Sequence, residues 1–330
     1  MSKIENKGLL QKIVSLIEEA KENAIRSVDF HRVQLYWHIG SYIFEEEQQG
    51  KERAEYGKYI VKYLSQNLTP IYGSGFSTRQ LYQSIQFYKT FPIVNALRSQ
   101  LSWSQYRLLI RLEDVDKRTF YIYESVKNHW TSRQLERQIN SHLYERLLLS
   151  NNKESVLAVA KGDKLPSEAK EIIKDPMTLE FLGLRRESAY YEKDLEGAII
   201  THLQEFLLEL GNGFSFVARQ KRILLEDDEF FVDLVFYNRI LQCFVIIEIK
   251  THKITHQDIG QLQMYVNYFD RVEKLKHENK SIGILLCADK NDLLVKFSLP
   301  ENENNIIASK YELYLPSEEQ LLKAINIEIY

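Results

Sequence analysis

Residues 241–250, LQCFVIIEIK, leave the chain few choices. Extended, they set Phe244 and Ile246 on one side and Val245, Ile247 and Ile249 on the other, because successive side chains alternate between faces. A strand apolar on both faces belongs in the middle of a sheet that is covered on both sides. The same alternation puts Glu248 and Lys250 on one face, about 6 to 7 Å apart at two residues' rise. A carboxylate and an ammonium are costly to bury unless each finds a partner. Either an internal pairing or a function must compensate.

The preceding run, EFFVDLVFY, raises the same problem, since Asp233 alone interrupts its apolar faces. If the two runs form an antiparallel hairpin with a four-residue loop at 239–242, Asp233 lies directly opposite Glu248 and on its face. A two-residue turn keeps the face but displaces the pair along the strands. Either register gathers two carboxylates and a lysine on one side of a buried hairpin. Two like charges so placed resolve their repulsion by a raised pKa or by a hard cation between them. Oxygen ligands with an open coordination sphere suit Mg2+ or Mn2+, which binds a phosphate oxygen and activates water. A lysine beside such an ion stabilises developing negative charge or helps deprotonate the water. The other reading is a structural lysine–carboxylate pair with Asp233 at a strand end.

At 330 residues, 44% of them hydrophobic, the chain can bury a core and is long enough for two domains. No run approaches the ~18 to 20 apolar residues of a membrane span, and the N-terminus carries acids and bases throughout. These features predict a soluble, cytoplasmic protein with no membrane partner. Cys243 and Cys287 lie in apolar stretches without zinc-ligand spacing and read as buried thiols. The net charge of −3 hides an asymmetry: residues 1–150 hold 21 Lys+Arg against 16 Asp+Glu, a net of +5, and the remainder holds 22 against 30, a net of −8. Residues 56–112 contain no Asp or Glu, yet carry Lys58, Lys62, Arg79, Lys89, Arg98, Arg107 and Arg111. A polyanion is the simplest partner for such a surface, because bases displace counterions from phosphates and a nearby carboxylate opposes them. An ordinary solvated basic face is the alternative.

Residues 1–150 read as helices. Leu9, Ile13, Leu16, Ile17, Ala20, Ala24, Ile25 and Val28 recur at spacings of three and four, continuing through Leu35 and Ile39. This predicts a long first helix, bent or interrupted near Asp29, and a second over about 52–68 ending at TPIYGSG. In GFSTRQLYQSIQFYKTFP, Ser77 is an N-cap candidate, Leu81, Ile85 and Tyr88 share one side, and Thr78, Arg79, Gln83 and Gln86 face elsewhere. A turn followed by a helix opening with Ser, Thr, Arg and Gln has the chemistry of a helix-turn-helix reading element. Ser77, Thr78, Arg79, Gln83, Lys58, Lys62, Lys89 and Arg107 are thus the candidate nucleic-acid contacts. Tyr72, Tyr82, Tyr88 and Tyr106 lie among these bases and read mostly as packing residues. Further helices are expected at about 104–112, 115–126 and 132–149. Residues 151–185 read as a connection, with Pro166 and Pro176. Residues 186–330 give a helix at about 193–209, three strands, a helix at about 255–269, a strand at 281–288, a short helix, a strand near 305–309 and a terminal helix from 317. That order describes an α/β sandwich with a mixed sheet.

The pattern Asp233-x14-Glu248-x-Lys250 after a helix and strand resembles the PD-(D/E)XK nuclease core, without the proline before Asp233 that is a dispensable part of that pattern. The wider text resembles the YhcG-like family of bacterial nucleases over nearly the full length. It comprises FVDLVFYNRILQCFVIIEIK, GQLQMYVNYF and GILLCADKN with LYWHIGSYI, GFSTRQL, LSWSQYRLL and SHLYERLLLS. The resemblance implies an α+β two-domain chain: an all-α, winged-helix-like DNA-binding half, then a restriction-endonuclease-like α/β sandwich with a mixed central sheet. Asp233 and Glu248 match the family's metal-binding acids, and Lys250 matches its catalytic lysine. Glu196 matches a position that supplies a further acid; a solvated helix charge is the alternative. Gln261 and Tyr265 match the Gln-xxx-Tyr pattern of one nuclease branch, and at i and i+4 both can point at the site, with packing the alternative for Tyr265. His252 and His256 read as surface residues. The implied activity is Mg2+- or Mn2+-dependent cleavage of DNA in restriction, recombination or mobile-element defence. The rival is a DNA-binding interaction protein whose nuclease fold no longer cuts. RNA is not distinguished from DNA, and a homodimer would suit cleavage of both strands, with no interface legible.

Overall fold

The computed structural model describes residues 2–49, 54–93, 100–150, 153–164, 177–182, 192–211, 213–226, 228–289, 292–299 and 305–313. The chain divides into two compact units, Met1–Glu136 and Arg137–Tyr330. No helix among the described residues is long and apolar enough to cross a membrane.

The first unit is helical, with α1 (Ser2–Gln49), α2 (Ala54–Tyr72), a 3-10 turn at Ser74–Phe76, α3 (Thr78–Thr90), α4 (Trp103–Leu109) and α5 (Val115–Lys127). Among its described residues no strand occurs. α1 runs unbroken through Asp29, where a bend was expected. Neither Gly nor Pro falls between Gly8 and Gly40, and Asp29 accepts a hydrogen bond from Arg32 within the same turn. α2 continues past Pro70 to Tyr72, because a proline so near the end costs the helix little of its ladder. Gly40 lets α1 and α3 cross backbone to backbone: a Cβ there would stand 2.0 Å from the Ser84 carbonyl oxygen. Leu81 and Ile85 of α3 bury against Ile43 and Val61, and Trp37 Nε1 donates to the Phe91 carbonyl at 2.6 Å.

The second unit is built on a six-stranded sheet. α6 (Ser132–Asn140), which opens just before the unit boundary, and α7 (Leu143–Ser150) were expected as one helix. They separate at His142, whose φ of 52° is left-handed. α8 (Lys153–Lys161) and a two-residue strand β1 (Met177–Thr178) follow, so the expected connection contributes an edge strand to the sheet. α9 (Glu192–Thr201) and α10 (Leu203–Leu210) replace a single expected helix, broken at His202 with φ −111° and ψ 40°. β2 (Phe214–Leu225), β3 (Asp228–Asn238) and β4 (Cys243–Lys253) come next, then α11 (His256–Tyr268) with a π-helical turn at Phe269–Glu273. β5 (Ile282–Asp289), α12 (Asp292–Ser298) and β6 (Ile306–Glu312) end the described fold. The expected helix from Ser317 lies outside the described residues.

The strand order is β1-β6-β5-β4-β3-β2. β2, β3 and β4 pair antiparallel, and β4, β5, β6 and β1 pair parallel, giving a mixed sheet with β4 in its interior. One face packs Leu234, Phe236, Val245, Ile247 and Ile249 against Leu195, Ile199, Phe206 and Leu210 of α9 and α10. The other packs Val235, Ile246 and Leu285 against Ile259, Leu262, Tyr265 and Val266 of α11. Alternation along β4 thus reads directly as two helical layers, one on each side.

Glu209 is fully buried and accepts from Arg146, Arg137 and the Thr178 amide, which lies 2.9 Å away. Arg137 also reaches Glu180 at 2.9 Å, so one carboxylate ties α6, α7 and α10 to the edge strand. Glu209→Ala leaves two guanidinium groups without their shared counter-charge. It is expected to cost about 3 to 5 kcal/mol, read as a lowered midpoint in urea unfolding with the slope unchanged.

Candidate functional site

The β3–β4 hairpin has the four-residue loop, with Leu234 opposite Ile247 and Asn238 opposite Cys243. Continuing that register by one step sets Asp233 against Glu248. There the backbone ladder stops, and side chains take over its hydrogen bonds. The Asp233 amide donates to Glu248 Oε1 at 3.2 Å, and the Ile249 amide donates to Asp233 Oδ2 at 2.8 Å. The strands fork at this point, and each carboxylate satisfies an amide that the fork would leave bare.

Lys250 completes the group, with Nζ 3.7 Å from Glu248 Oε2 and 3.5 Å from Glu192 Oε2. Glu248 is 2% exposed and Lys250 9%. Burial first, and then the charge of Asp233, push the Glu248 carboxyl up to about 8. Burial also raises Asp233, against the opposing pull of the Ile249 amide and Lys250. For Lys250, burial works against the ammonium, but Glu248, Glu192 and Asp233 outweigh it and hold it above the ordinary lysine range. Two acids driven toward the neutral form, chiefly by burial, beside a retained cation mark a candidate site.

Glu196 on α9 is 3% exposed, which removes the reading of a solvated helix charge. It is not gathered with Asp233 and Glu248 as a third ligand. Its carboxylate instead accepts from Arg219 and, at 2.8 Å, from Gln220 Nε2. Gln220 also donates to Asp233 Oδ1 at 3.0 Å, so it links the two acids. Among the described residues no three His, Cys, Asp or Glu side chains form a group able to hold a metal ion. The available donor set is the pair Asp233 and Glu248. It suits a magnesium ion that keeps several waters and takes only one or two carboxylates from the protein.

On α11, Gln261 donates to the Tyr265 hydroxyl at 2.8 Å, and that hydroxyl donates to the Phe231 carbonyl at 3.3 Å. Tyr265 is 1% exposed and lies close enough for Glu248 and Asp233 to act on its hydroxyl, whose pKa is raised chiefly by burial. Gln261 is therefore brought to the site's flank through Tyr265. α11 starts from a capping box: Thr255 and Asp258 exchange hydrogen bonds, the Thr255 amide donating to Asp258 Oδ2 at 2.8 Å. His252, set aside from the sequence, is half-exposed, with Nε2 3.6 Å from Asp258 Oδ2 and Nδ1 3.9 Å from Glu192 Oε1.

Glu192, Arg219 and Gln220 were missed. A signal existed for Glu192, which precedes Glu196 by one helical turn on the same face. Gln220 had none, because the backbone turn that aims its side-chain amide at the two acids leaves no mark in the sequence. By register it faces Asp233, between the pairs Arg219–Leu234 and Lys221–Val232, and its φ of 47° is left-handed for a non-glycine residue inside a strand. An open cavity of about 700 Å³ lies in front, lined by Asp233, Glu192, Glu196, Gln220, Arg219 and Lys193 among others.

In the first unit, Lys58, Lys62, Thr78, Arg79 and Lys89 are exposed, and Gln83 and Arg107 are half-buried. Ser77 stands at the N-cap of α3 but makes no side-chain capping bond. Lys89 lies over the Phe44 ring at 5.1 Å. Tyr106 is core, whereas Tyr72 and Tyr82 are exposed.

Residues 170–326 match a family model described as the YhcG PDDEXK nuclease domain, and residues 12–146 match the DUF1016 N-terminal domain. A relative from Escherichia coli (strain K12), named "Putative nuclease YhcG", is 37% identical over 94% of this chain and 90% of its own length. Two solved structures align at 18% identity with TM-scores of 0.26: a repair endonuclease from Pyrococcus abyssi, over 39% of this chain, and EndoMS in apo form, over 40%. The alignments span half the length of each of those two proteins.

Replacing Gln220 with glycine removes both its strained backbone and its bridge. The Gln220→Gly protein is expected to keep its melting temperature within a few degrees while its affinity for Mn2+ falls about tenfold, roughly 1.4 kcal/mol. Calorimetric titration with the metal reads that change, and unaltered Mn2+ affinity would show that the bridge does not position Asp233.

Proposed function

The chain belongs to the YhcG family, and on that premise we propose that it is a divalent-metal-dependent phosphodiesterase that cleaves DNA. The observation that carries the reading is the fork itself. The buried Glu248 and the half-buried Asp233 face each other with raised pKa values, a charged lysine stands within 4 Å of Glu248, and Asp233 lines an open cavity.

Asp233 and Glu248 would hold Mg2+ or Mn2+, and Lys250 and Tyr265 flank them. When bound, the ion supplies Lewis-acid polarisation of a phosphate oxygen and a more acidic water. Asp233, on the cavity wall, sets where the scissile phosphate comes to rest. Lys250, kept in place by Glu248 and Glu192, donates toward the phosphoryl oxygen on which charge develops. Arg219 and Lys193 give the cavity rim positive charge toward the incoming backbone, and Arg219 is steadied there by Glu196. Glu196 acts on Asp233 through Gln220, and Gln261 acts through the Tyr265 hydroxyl.

The helical half serves in this reading as a helix-turn-helix-like, winged-helix-like DNA module. Support lies in its acid-free stretch and in the exposed Lys58, Lys62, Thr78, Arg79 and Lys89. A cytoplasmic role in restriction, recombination or defence against mobile elements is the biological setting proposed, by family analogy alone.

Incubation with circular and linear DNA tests the activity directly. Cleavage is expected with Mg2+ or Mn2+, to vanish with chelator, and to fall by at least about 10²-fold in Asp233→Asn and Lys250→Ala while DNA binding persists. Binding without cleavage under every metal would instead mark an interaction protein. For the helical half, Arg79→Ala and Lys62→Ala should each weaken DNA binding across sequences and lower the slope of log K against log salt by about 1.

A further inference from the structure

α1 keeps one long face bare. Every described side chain from Leu10 to Val28 is exposed. Further along, Val33, Tyr36, Trp37 and Ile43 bury into the bundle while Leu35 and Tyr42 remain open on another side. From Leu10 to Tyr42, residues taken at alternating steps of four and three are all exposed, Val14, Ile17, Val28 and Leu35 among them. A sustained 3.5-residue repeat is the seam of a two-helix coiled coil, since it keeps one stripe turned toward a partner helix over many turns. The stripe runs about 50 Å at 1.5 Å per residue. Most helical stability in proteins comes from packing an apolar face, and this one has no neighbour among the described residues.

We propose that α1 pairs antiparallel with α1 of a second copy of this chain. Area is the first reason. The apolar residues on and beside the stripe, from Leu10 at 61% exposed through Ile25 at 63% to Tyr42 at 68%, present roughly 800 Å² per copy, one partner's share of a standard interface. Charge is the second. Antiparallel pairing centred near residue 26 sets Leu10 against Tyr42 and Ile17 against Leu35 of the second copy, and brings Glu18 beside its Arg32. Parallel pairing stacks Lys21 on Lys21 and sets Glu18 beside Ile13. The local pairs Glu18–Lys21 and Asp29–Arg32 are surface contacts, which hold their side chains weakly enough to turn. The pairing does not depend on the nuclease reading.

Sedimentation equilibrium of the full chain, 39.0 kDa as a monomer, is expected to report twice that mass. Val14→Glu combined with Val28→Glu returns the monomer mass with helical circular dichroism retained, whereas Phe297→Glu, at an exposed apolar residue in the other unit, leaves the dimer intact. Glu18→Lys and Arg32→Glu each weaken association about two- to fivefold, and together they restore it. Because Cys243 and Cys287 are buried, a chain carrying Val14→Cys should form a disulfide with one carrying His38→Cys. A monomeric wild type at high micromolar concentration, a dimer that survives both glutamates, charge swaps that fail to compensate, or Val14→Cys chains linking only to themselves would each overturn the pairing.

Discussion

The fork between β3 and β4, where Asp233 and Glu248 face each other, is the constraint on which the site of the second unit depends. Where the β3–β4 ladder ends, Glu248 is buried and Asp233 half-buried. The fold tolerates them because each accepts a backbone amide that the fork has released, and because Lys250 is drawn to Glu248. The arrangement is satisfied in hydrogen bonds with both acids still driven toward the neutral form, which is the condition under which a shared cation adds most. Gln220, Glu196 and Arg219 then read as the support for one wall of the cavity, fixing Asp233 from the β2 side.

The hairpin was legible in the sequence because two periodicities agreed. Alternation in 241–250 set the face of Glu248 and Lys250, and of the two loop lengths that the sequence left open the structure has the four-residue one, which continues to Asp233 opposite Glu248. Helices on both sides of β4 followed from its being apolar on both faces. What could not be read arose from backbone detail or from contacts distant in sequence. The left-handed φ at Gln220 has no residue-type signature, since glutamine rarely adopts it. The two-residue β1 is too short for any pattern and is held by Arg137 and Glu209 from two separate segments. The breaks at His142 and His202 came without Gly or Pro to announce them.

Glu196 on α9 is buried, and its carboxylate has partners of its own. Its place in the helix before the sheet was legible, and its burial fits a site residue, but its oxygens are taken by Arg219 and Gln220. It reaches the pair through another side chain. In the first unit, the absence of acids over 56–112 left Lys58, Lys62, Arg79 and Lys89 on the surface or its edge. The helical periodicity of α1 is met by burial only in its second half, at Val33, Tyr36, Trp37 and Ile43, while its described residues from Leu10 to Val28 are exposed.

Asp233 and Glu248 are proposed to hold one divalent ion jointly. Electron paramagnetic resonance of added Mn2+ tests it without any need for turnover. One bound Mn2+ per chain is expected in the wild type, with binding lost in Glu248→Gln and in Asp233→Asn while both variants stay folded. Free Mn2+ at millimolar protein, or a bound signal unchanged by either substitution, would contradict it.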